Sequence, residues 1–313
     1  MTVSNQTFEN RFVLIGLTNI PYLQELYLLI FLIIYIITVL GNSLFIVVVR
    51  INIKLQTPMY FFLSHLSIID VCFSSAVVPK LLVITFSQDK SVSLLECATQ
   101  MYVSLVLGAT ECLILAVMAY DRYAAICKPL HYNTIMNKRL CICLALGCWG
   151  VGVINSTIHV FFTFQLPFCR SRHINHFFCE VPPFFRLSCQ DTWFNELAMY
   201  ISACIIAICA FFLTLISYIY IISSIAKIRA PQGRYKAFST CASHLTVVAV
   251  YYGTIMFIYL HPHSAYSPEM GKIVSIIYTS VTPMLNPIIY SIRNQDIKST
   301  LRKNTYKAFS KCI

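Results

Sequence analysis

Residues 26–49 read LYLLIFLIIYIITVLGNSLFIVVV, an apolar run without one charged side chain. About 20 apolar residues in an α-helix cross the roughly 30 Å of hydrocarbon in a bilayer, so this run can span a membrane. Six further apolar runs follow, at about 59–83, 94–126, 140–164, 197–226, 238–260 and 273–292. They lack the short alternating pattern of a membrane β-barrel. The sequence therefore predicts an all-α membrane protein, a single seven-transmembrane helix bundle.

The composition excludes most other classes of protein. The chain has 313 residues, of which 58% are hydrophobic and 11% are charged, and its mean hydropathy is +0.72. Soluble domains average about 45–50% apolar and about 25% charged residues. Disordered chains need low hydrophobicity, and small disulfide scaffolds are short. An integral membrane protein is the class that remains.

The distribution of basic residues predicts the orientation. Sixteen of the 23 Lys and Arg residues fall in the C-terminal tail or on one set of connections, where Asp121 and Asp296 are the only acids. An excess of Lys and Arg marks the cytoplasmic side. We therefore expect an extracellular N-terminal segment (1–25), a transmembrane domain (26–292) and a cytoplasmic tail with a short amphipathic helix (293–313). Asn5, in Asn-Gln-Thr, would be a glycan acceptor outside.

The connections and the tail that are rich in Lys and Arg are expected to contact the membrane surface. Anionic lipids of the inner leaflet attract clusters of Lys and Arg close to a bilayer. We therefore expect membrane lipids as partners and no nucleic acid.

Four of the 14 cysteines lie on the predicted outer side, namely Cys97, Cys169, Cys179 and Cys189. An even number in an oxidising compartment indicates two disulfides, and four cysteines allow three pairings. The spacing alone does not choose among these pairings.

The same outer loop contains a candidate metal site. Its residues His173, His176, Cys179 and Glu180 follow Cys169 at intervals at which thiolate and imidazole groups could hold zinc or copper. The alternative is a disulfide-bound loop with solvated histidines. Oxidation of the cysteines would remove both thiolates from a metal site.

Two acids, Asp70 and Glu111, fall inside predicted spans. A carboxylate at the centre of a bilayer costs roughly 2.5–3.5 kcal/mol, so it needs a partner or a proton. Asn42, Ser67 and Asn286 occur at similar depth and could complete an oxygen-lined cavity. A sodium ion or a proton would suit this cavity. The alternative is a neutral carboxylic acid that joins helices by hydrogen bonds.

Asp121-Arg122-Tyr123 stands at the cytoplasmic end of the third run. Adjacent Asp and Arg side chains can pair and hold a helix end closed, although an ordinary interfacial charge pair is the alternative. His244, in the sixth run, is by itself typical of a satisfied core histidine.

Several segments together carry a family resemblance. They are Gly41-Asn42, Pro58-Met59-Tyr60, MAYDRYAAIC (118–127), Ser217-Tyr218, KAFSTCASHL (236–245) and PMLNPIIY (283–290). In this order they resemble the rhodopsin-like G-protein-coupled receptors and, within them, the odorant receptors of the tetrapod-type class. The resemblance extends from about residue 10 to residue 308.

The resemblance implies a role for each of these groups. Cys97 would pair with Cys179 and Cys169 with Cys189, while Asp70 and Glu111 would form an allosteric sodium site. Arg122 would leave Asp121 for Tyr218 and Tyr290 as the sixth helix moves outward. The remaining members of this activation switch are Tyr123, His244, Asn286 and Pro287. A heterotrimeric stimulatory G protein of the olfactory type would then raise cyclic AMP.

The resemblance also places the protein and its ligand. A multi-pass receptor in the plasma membrane of olfactory cilia is implied, with an export chaperone as a further partner. Its ligand would be a small volatile odorant in the outer half of the bundle. The corresponding positions are Ser104, Leu105, Gly108, Ala109, Cys112, Ser202, Ile206, Tyr252, Ile255, Tyr259 and Thr279. Their mostly apolar character suits a small neutral molecule with one or two oxygens.

Two other classes of membrane protein fit the sequence less well. A transporter would show internal repeats and matching broken helices, and only the seventh run is interrupted, by Pro283 and Pro287. A membrane enzyme would need a nucleophile with its base or a metal cluster inside the bundle, and the histidines are scattered. We therefore expect no catalytic residues.

Overall fold

Seven helical segments form one bundle in the computed structural model, which describes residues 11–18, 20–87, 89–169, 171–228, 230–260 and 268–293. The segments are α1 (Pro21–Ile51), α2 (Pro58–Phe86), α3 (Leu94–Cys127), α4 (Lys138–Phe164), α5 (Trp193–Ala226), α6 (Pro231–Leu260) and α7. The last consists of Pro268–Ile276, a π-helix at Ile277–Val281 and Thr282–Arg293. Short helical turns occur at Ile53–Leu55, Pro129–His131, Tyr132–Ile135 and Val181–Phe185.

The predicted membrane fold is confirmed. In the described part of the chain, six helices are long and apolar enough to cross a bilayer, and α6 contributes a shorter apolar stretch, His244–Met256. Helix α1 begins at Pro21, inside the segment predicted to precede the first span. Proline suits the first turn of a helix because its missing N–H has no partner there. The predicted tail helix and Asn5 lie outside the described residues.

Helix α3 occupies the centre of the bundle. It packs against α2, α4, α5 and α6, whereas α1 packs against α2 and α7. Large apolar side chains remain exposed along α1, α4 and α5, such as Leu40, Phe161 and Leu213. On a soluble protein such surfaces would mark contact sites, and here they suit the hydrocarbon of a bilayer.

Glycines allow two close helix contacts. A Cβ atom on Gly152 of α4 would lie 2.5 Å from Oγ1 of Thr110 and 2.8 Å from the carbonyl oxygen of Val106, both on α3. A Cβ atom on Gly41 of α1 would lie 3.3 Å from Cγ of Pro287 on α7. Small residues at such crossings let helix backbones approach in a membrane.

Helix α7 continues through its prolines instead of ending at them. The π-helix precedes Pro283, and the hydroxyl of Thr282 donates to the carbonyl of Ile277 at 3.0 Å. The Nδ2 group of Asn42 on α1 donates to the carbonyl of Pro283 at 3.1 Å. Carbonyls freed by a local change of helix type are thus satisfied by side chains, as membrane helices require.

A small sheet at the outer end was not predicted from the sequence. Strand β1 (Arg11–Leu14) lies between β2 (Ser91–Ser93), which is antiparallel to it, and β3 (His173–Ile174), which is parallel. Phe12 of β1 is buried and its ring contacts Phe168 and Phe184 of the fourth-to-fifth loop. The sheet joins the N-terminal segment to two outer loops.

Two disulfides complete the outer end. Cys97 at the start of α3 is bonded to Cys179, and Cys169 is bonded to Cys189. These are the pairings that the family resemblance implied, and they are confirmed. The first one holds the residues around Cys179 over the bundle.

Candidate ligand-binding site and activation switch

A cavity of about 110 Å³ lies beneath the outer loop. Its described walls come from α2 to α7 and from the loop, and are Phe73, Met101, Ser104, Leu105, Gly108, Ala109, Glu111, Cys112, Asn155, Phe178, Cys179, Glu180, Val181, Pro182, Ala203, Ile206, Ala207, Tyr251, Ile255 and Tyr278. Most of these side chains are apolar, as ligand sites for small molecules usually are.

Seven of the predicted ligand-binding residues lie in these walls. They are Ser104, Leu105, Gly108, Ala109, Cys112, Ile206 and Ile255. The five on α3 follow helical spacing, so one face of the central helix supplies a continuous wall. The geometry therefore brings the α3 set together as predicted.

Three other predicted positions are not among the described lining residues, and their role in ligand binding stays a prediction. The Oγ atom of Ser202 contacts Nε2 of His159 at 2.6 Å. The hydroxyl of Thr279, which is fully buried, donates to the carbonyl of Ser275 at 2.7 Å. The hydroxyl of Tyr252 donates to the carbonyl of Cys112 at 3.0 Å. Local hydrogen bonds occupy all three side chains.

Tyr251, the neighbour of Tyr252, lines the cavity in its place. Its hydroxyl donates to the carbonyl of Gly108. Successive side chains on a helix point about 100° apart, so two neighbouring residues have different surroundings. The side chain of Tyr259 lies outside the described part of the structure.

The outer loop forms one wall of the cavity, although the sequence analysis assigned its residues to a disulfide or a metal site. Glu180 lines the cavity, and its carboxylate accepts hydrogen bonds from the hydroxyl of Tyr278 at 2.8 Å and of Ser275 at 3.4 Å. Burial raises the pKa of Glu180 to about 7. In the sequence, the position of Glu180 is indicated by the adjacent Cys179. A disulfide from Cys179 to α3 holds the neighbouring loop residues over the bundle.

The predicted metal site is not assembled. Cys179 is bonded to Cys97, and a disulfide sulfur is no thiolate ligand. His173 is exposed in β3, whereas His176 is buried and stacks on Phe177. Among the described residues no group of three or more His, Cys, Asp or Glu side chains could hold a metal ion.

His176 is better explained as part of the loop core. Its Nε2 atom lies 3.6 Å from Oε2 of Glu180. Burial, with Lys272 nearby, lowers the pKa of His176 to about 3, so the ring is neutral at physiological pH. The contact with Glu180 is therefore no salt bridge under those conditions.

The buried acids lie beside polar groups deeper in the bundle. Asp70 is fully buried and accepts hydrogen bonds from Nδ2 of Asn286 at 3.1 and 3.0 Å. Asp70 and Glu111 are close enough to interact electrostatically. Among the described residues, Oε1 of Glu111 and the Oδ1 atoms of Asn42 and Asn286 have no hydrogen-bond partner.

The cytoplasmic end of α3 contains a closed ion pair. Two guanidinium nitrogens of Arg122 donate to Oδ2 of the buried Asp121. The hydroxyl of Tyr132, from the short helix that follows, donates to Oδ1 of the same carboxylate at 2.7 Å. Burial and the nearby Asp121 carboxylate raise the pKa of Tyr132, so its hydroxyl remains a donor.

The other predicted switch residues make contacts of their own. The hydroxyl of Tyr218 on α5 contacts Nδ1 of His244 on α6 at 2.7 Å. Tyr290 on α7 is buried, and its hydroxyl has no hydrogen-bond partner among the described residues. Tyr123 packs against Tyr220 of α5 with ring centres 5.7 Å apart. Pro287 packs near Gly41, as described above.

Comparisons with known proteins agree with this architecture. The family model described as "Olfactory receptor" matches residues 31–307. Olfactory receptor 2G6 of Homo sapiens is 47% identical over 302 residues, 96% of each chain. Olfactory receptor 5G9 of Mus musculus is 46% identical over 308 residues, 98% of each chain. Olfactory receptor 5B12 of Homo sapiens is 45% identical over 306 residues, again 98% of each.

The chain belongs to the olfactory receptor family.

Membership in the olfactory receptor family decides between the classes considered above. The protein is an odorant receptor and not an enzyme. It is a multi-pass protein of the plasma membrane, as the apolar helices and the family both indicate. The cavity beneath the outer loop and the candidate switch at the end of α3 thus belong to an olfactory receptor.

Sequence reasoning missed several cavity residues of this olfactory receptor. Phe73, Asn155 and Tyr278 lie on three different helices and belong to no motif that indicates ligand binding. Asn155 belongs to an Asn-Ser-Thr tripeptide that lies within α4. A wall built from distant helices has no local sequence signal, because it depends on how the helices are rotated.

Proposed function

We propose that a small volatile, mostly apolar odorant binds in the cavity and activates a stimulatory, olfactory-type G protein that raises cyclic AMP. The observation that supports this proposal most directly is the cavity itself. Its walls include Leu105, Ile206 and Ile255. The disulfide between Cys97 and Cys179 holds the loop above them.

The closed pair of Asp121 and Arg122 supports a resting state of this receptor. On activation Arg122 leaves the carboxylate and turns toward Tyr218 and Tyr290 as α6 moves outward. In the resting arrangement Tyr218 instead contacts His244 of α6. A ligand that favours the outward position of α6 shifts the population to the active state by its difference in affinity for the two states.

A cyclic AMP assay tests this function. Cells that express the receptor with an olfactory-type stimulatory G protein are challenged with small volatile alcohols, ketones, esters, thiols, amines and acids. We expect a concentration-dependent response to at least one class, and its loss in Arg122→Ala. Arg139→Ala, an exposed basic residue at the same end of the bundle, is the matched control and keeps the response.

Surface expression of each variant is measured by flow cytometry in the same cells. Silence of the wild-type receptor at confirmed surface expression contradicts the proposed function. A response that survives in Arg122→Ala contradicts the switch.

We also propose that a sodium ion binds between Asp70, Glu111 and Asn286. The unpartnered oxygens of Glu111 and Asn286 support this, since sodium is held by oxygen ligands and a buried polar atom is costly without a partner. Asp70 would supply the charge that balances the ion.

Thermal unfolding of the purified receptor tests the sodium site. We expect sodium chloride to raise the unfolding midpoint above that in choline chloride at equal ionic strength. This difference disappears in Asp70→Asn, because the variant loses the balancing charge. An equal midpoint in both salts for the wild-type receptor excludes the site.

A further inference from the structure

The ligand cavity contains two carboxyl groups. Glu180 lies in its outer wall and Glu111 in its inner wall, and none of the described lining residues is a lysine or an arginine. Glu111 is 4% exposed, and its Oε1 atom has no hydrogen-bond partner in the described part of the chain. Glu111 belongs to the proposed sodium site, so Glu180 is the carboxyl group that is left for a ligand.

The surroundings of Glu180 leave its negative charge to be balanced by a ligand. Tyr278 and Ser275 donate neutral hydroxyl groups to it, and the nearby His176 ring is neutral. Lys272 lies close to His176 and is held by Glu269 at 3.4 Å. Hydrogen bonds orient the Glu180 carboxylate, while the nearby cation, Lys272, is paired with Glu269.

We propose that the cavity is selective for a small alkyl amine, whose ammonium group binds the carboxylate of Glu180 while its hydrocarbon part packs on Leu105, Ile206 and Ile255. An ammonium has three donors and forms strong charge-assisted hydrogen bonds with a carboxylate. This inference rests on the proposed function and narrows its ligand class. An amine also differs from the neutral ligand that the sequence predicted. The residues predicted to bind the ligand did not include Glu180.

The arrangement predicts how binding depends on pH. Glu180 has a pKa of about 7, so below that pH it is protonated and must lose its proton before an ammonium can pair with it. Alkyl amines, like the lysine side chain with a pKa of about 10.4, remain charged throughout this range. Of the groups that face Glu180, His176 stays neutral, and Tyr278, Lys272 and Glu111 are the other ionisable ones.

The first test compares wild-type receptor responses to n-alkyl amines and to n-alkanols of the same chain length. At about pH 8 we expect the amines to be at least about tenfold more potent, since they alone gain the ion pair. From about pH 6 to about pH 8 the potency of the amines rises about tenfold, and above about pH 8 it levels off. The alkanols show no such change and control for effects of pH on signalling.

The second test uses Glu180→Gln, which keeps the size of the side chain and removes its charge. We expect it to lose the preference for amines and their pH dependence, while the potency of the alkanols changes by less than about threefold. Glu196→Gln is the matched control. Its carboxylate accepts from Thr192 at 2.7 Å at the start of α5, and it is not among the described cavity residues.

The outcomes separate this inference from the proposed function. Alkanols that match or exceed the amines in the wild-type receptor overturn the inference and leave the odorant receptor function standing. Silence toward every class contradicts the proposed function. If Glu180→Gln does not reach the cell surface, the wild-type comparison of amine with alkanol across pH decides alone.

Discussion

Single side chains at the cytoplasmic end of α3 form the ion pair that we propose to stabilise the resting state. Asp121 is fully buried, and its carboxylate accepts hydrogen bonds from the side chains of Arg122 and Tyr132. A buried carboxylate is stable only when paired and hydrogen-bonded, so both partners matter to the same group. The motif alone did not reveal Tyr132, because its hydroxyl reaches Asp121 only through the short helix at Tyr132–Ile135.

At this scale we predict the effect of Tyr132→Phe on basal activity. The change removes a hydrogen bond to a charged group that supports the resting pair, worth roughly 1.5 kcal/mol or more. We expect ligand-independent cyclic AMP to rise by about tenfold at equal surface expression. The measurement is the same cyclic AMP assay without odorant.

Tyr120→Phe is the control for this prediction. Tyr120 is 39% exposed at the same end of α3, and its ring packs on Tyr123. An unchanged basal level in Tyr132→Phe, or an equal rise in both variants, would show that the hydroxyl of Tyr132 does not support the resting pair.

At the scale of elements, helix contacts are decided by small residues. Helices α3 and α4 approach closely only because Gly152 has no side chain. The apolar pattern of α4 predicts a span, but it does not indicate which of its glycines, Gly147, Gly150 or Gly152, lies at the crossing. That choice depends on the rotation of the helix about its own axis.

We predict that Gly152→Ala destabilises the receptor. Its new Cβ atom would lie 2.5 Å from Oγ1 of Thr110, so the two helices have to separate, at a cost of about 1–3 kcal/mol. Thermal unfolding of the solubilised receptor and its surface expression measure this effect.

Gly150→Ala on the same helix provides the comparison. Nothing lies within 4 Å of the Cβ atom it would gain, and alanine is the better helix former. We expect no loss of stability. A loss in Gly150→Ala as large as in Gly152→Ala would contradict a specific contact at Gly152.

At the scale of the whole molecule, the outer end is joined by covalent and sheet contacts between distant segments. The N-terminal strand, the second-to-third connection and the fourth-to-fifth loop meet in one sheet. Two disulfides lie beside it. The disulfide at Cys179 holds the fourth-to-fifth loop over the cavity, and Glu180 of the loop lies in the cavity wall.

We predict that Cys169→Ser and Cys189→Ser each reduce stability, and that the double variant is no less stable than either single one. Both cysteines belong to one bond, which closes a loop across a sequence separation of 20. A disulfide that closes a loop of this length adds about 3 kcal/mol to the free energy of unfolding. Surface expression and thermal unfolding under non-reducing conditions check this.

Cys72→Ser, which changes an exposed free cysteine on α2, serves as the control and should leave both quantities unchanged. Additive losses in the double variant would argue against the Cys169–Cys189 bond, because two residues that act through one interaction do not add.

The sequence by itself determined the membrane class, the number and approximate limits of the spans, the outward cysteines and the family motifs. Hydrophobicity and length are properties of a local segment, and a bilayer selects for them directly. Seven of the predicted ligand-binding residues also line the cavity, five of them on α3, because neighbours at helical spacing share a face.

Only the tertiary structure decided which distant groups meet. In the structure Tyr251 and not Tyr252 lines the cavity, and Glu180 lies in the cavity wall with Tyr278. The tertiary structure also formed the sheet around β1. These contacts depend on the rotation of each helix and on the path of each loop, which are set by packing between segments far apart in the chain.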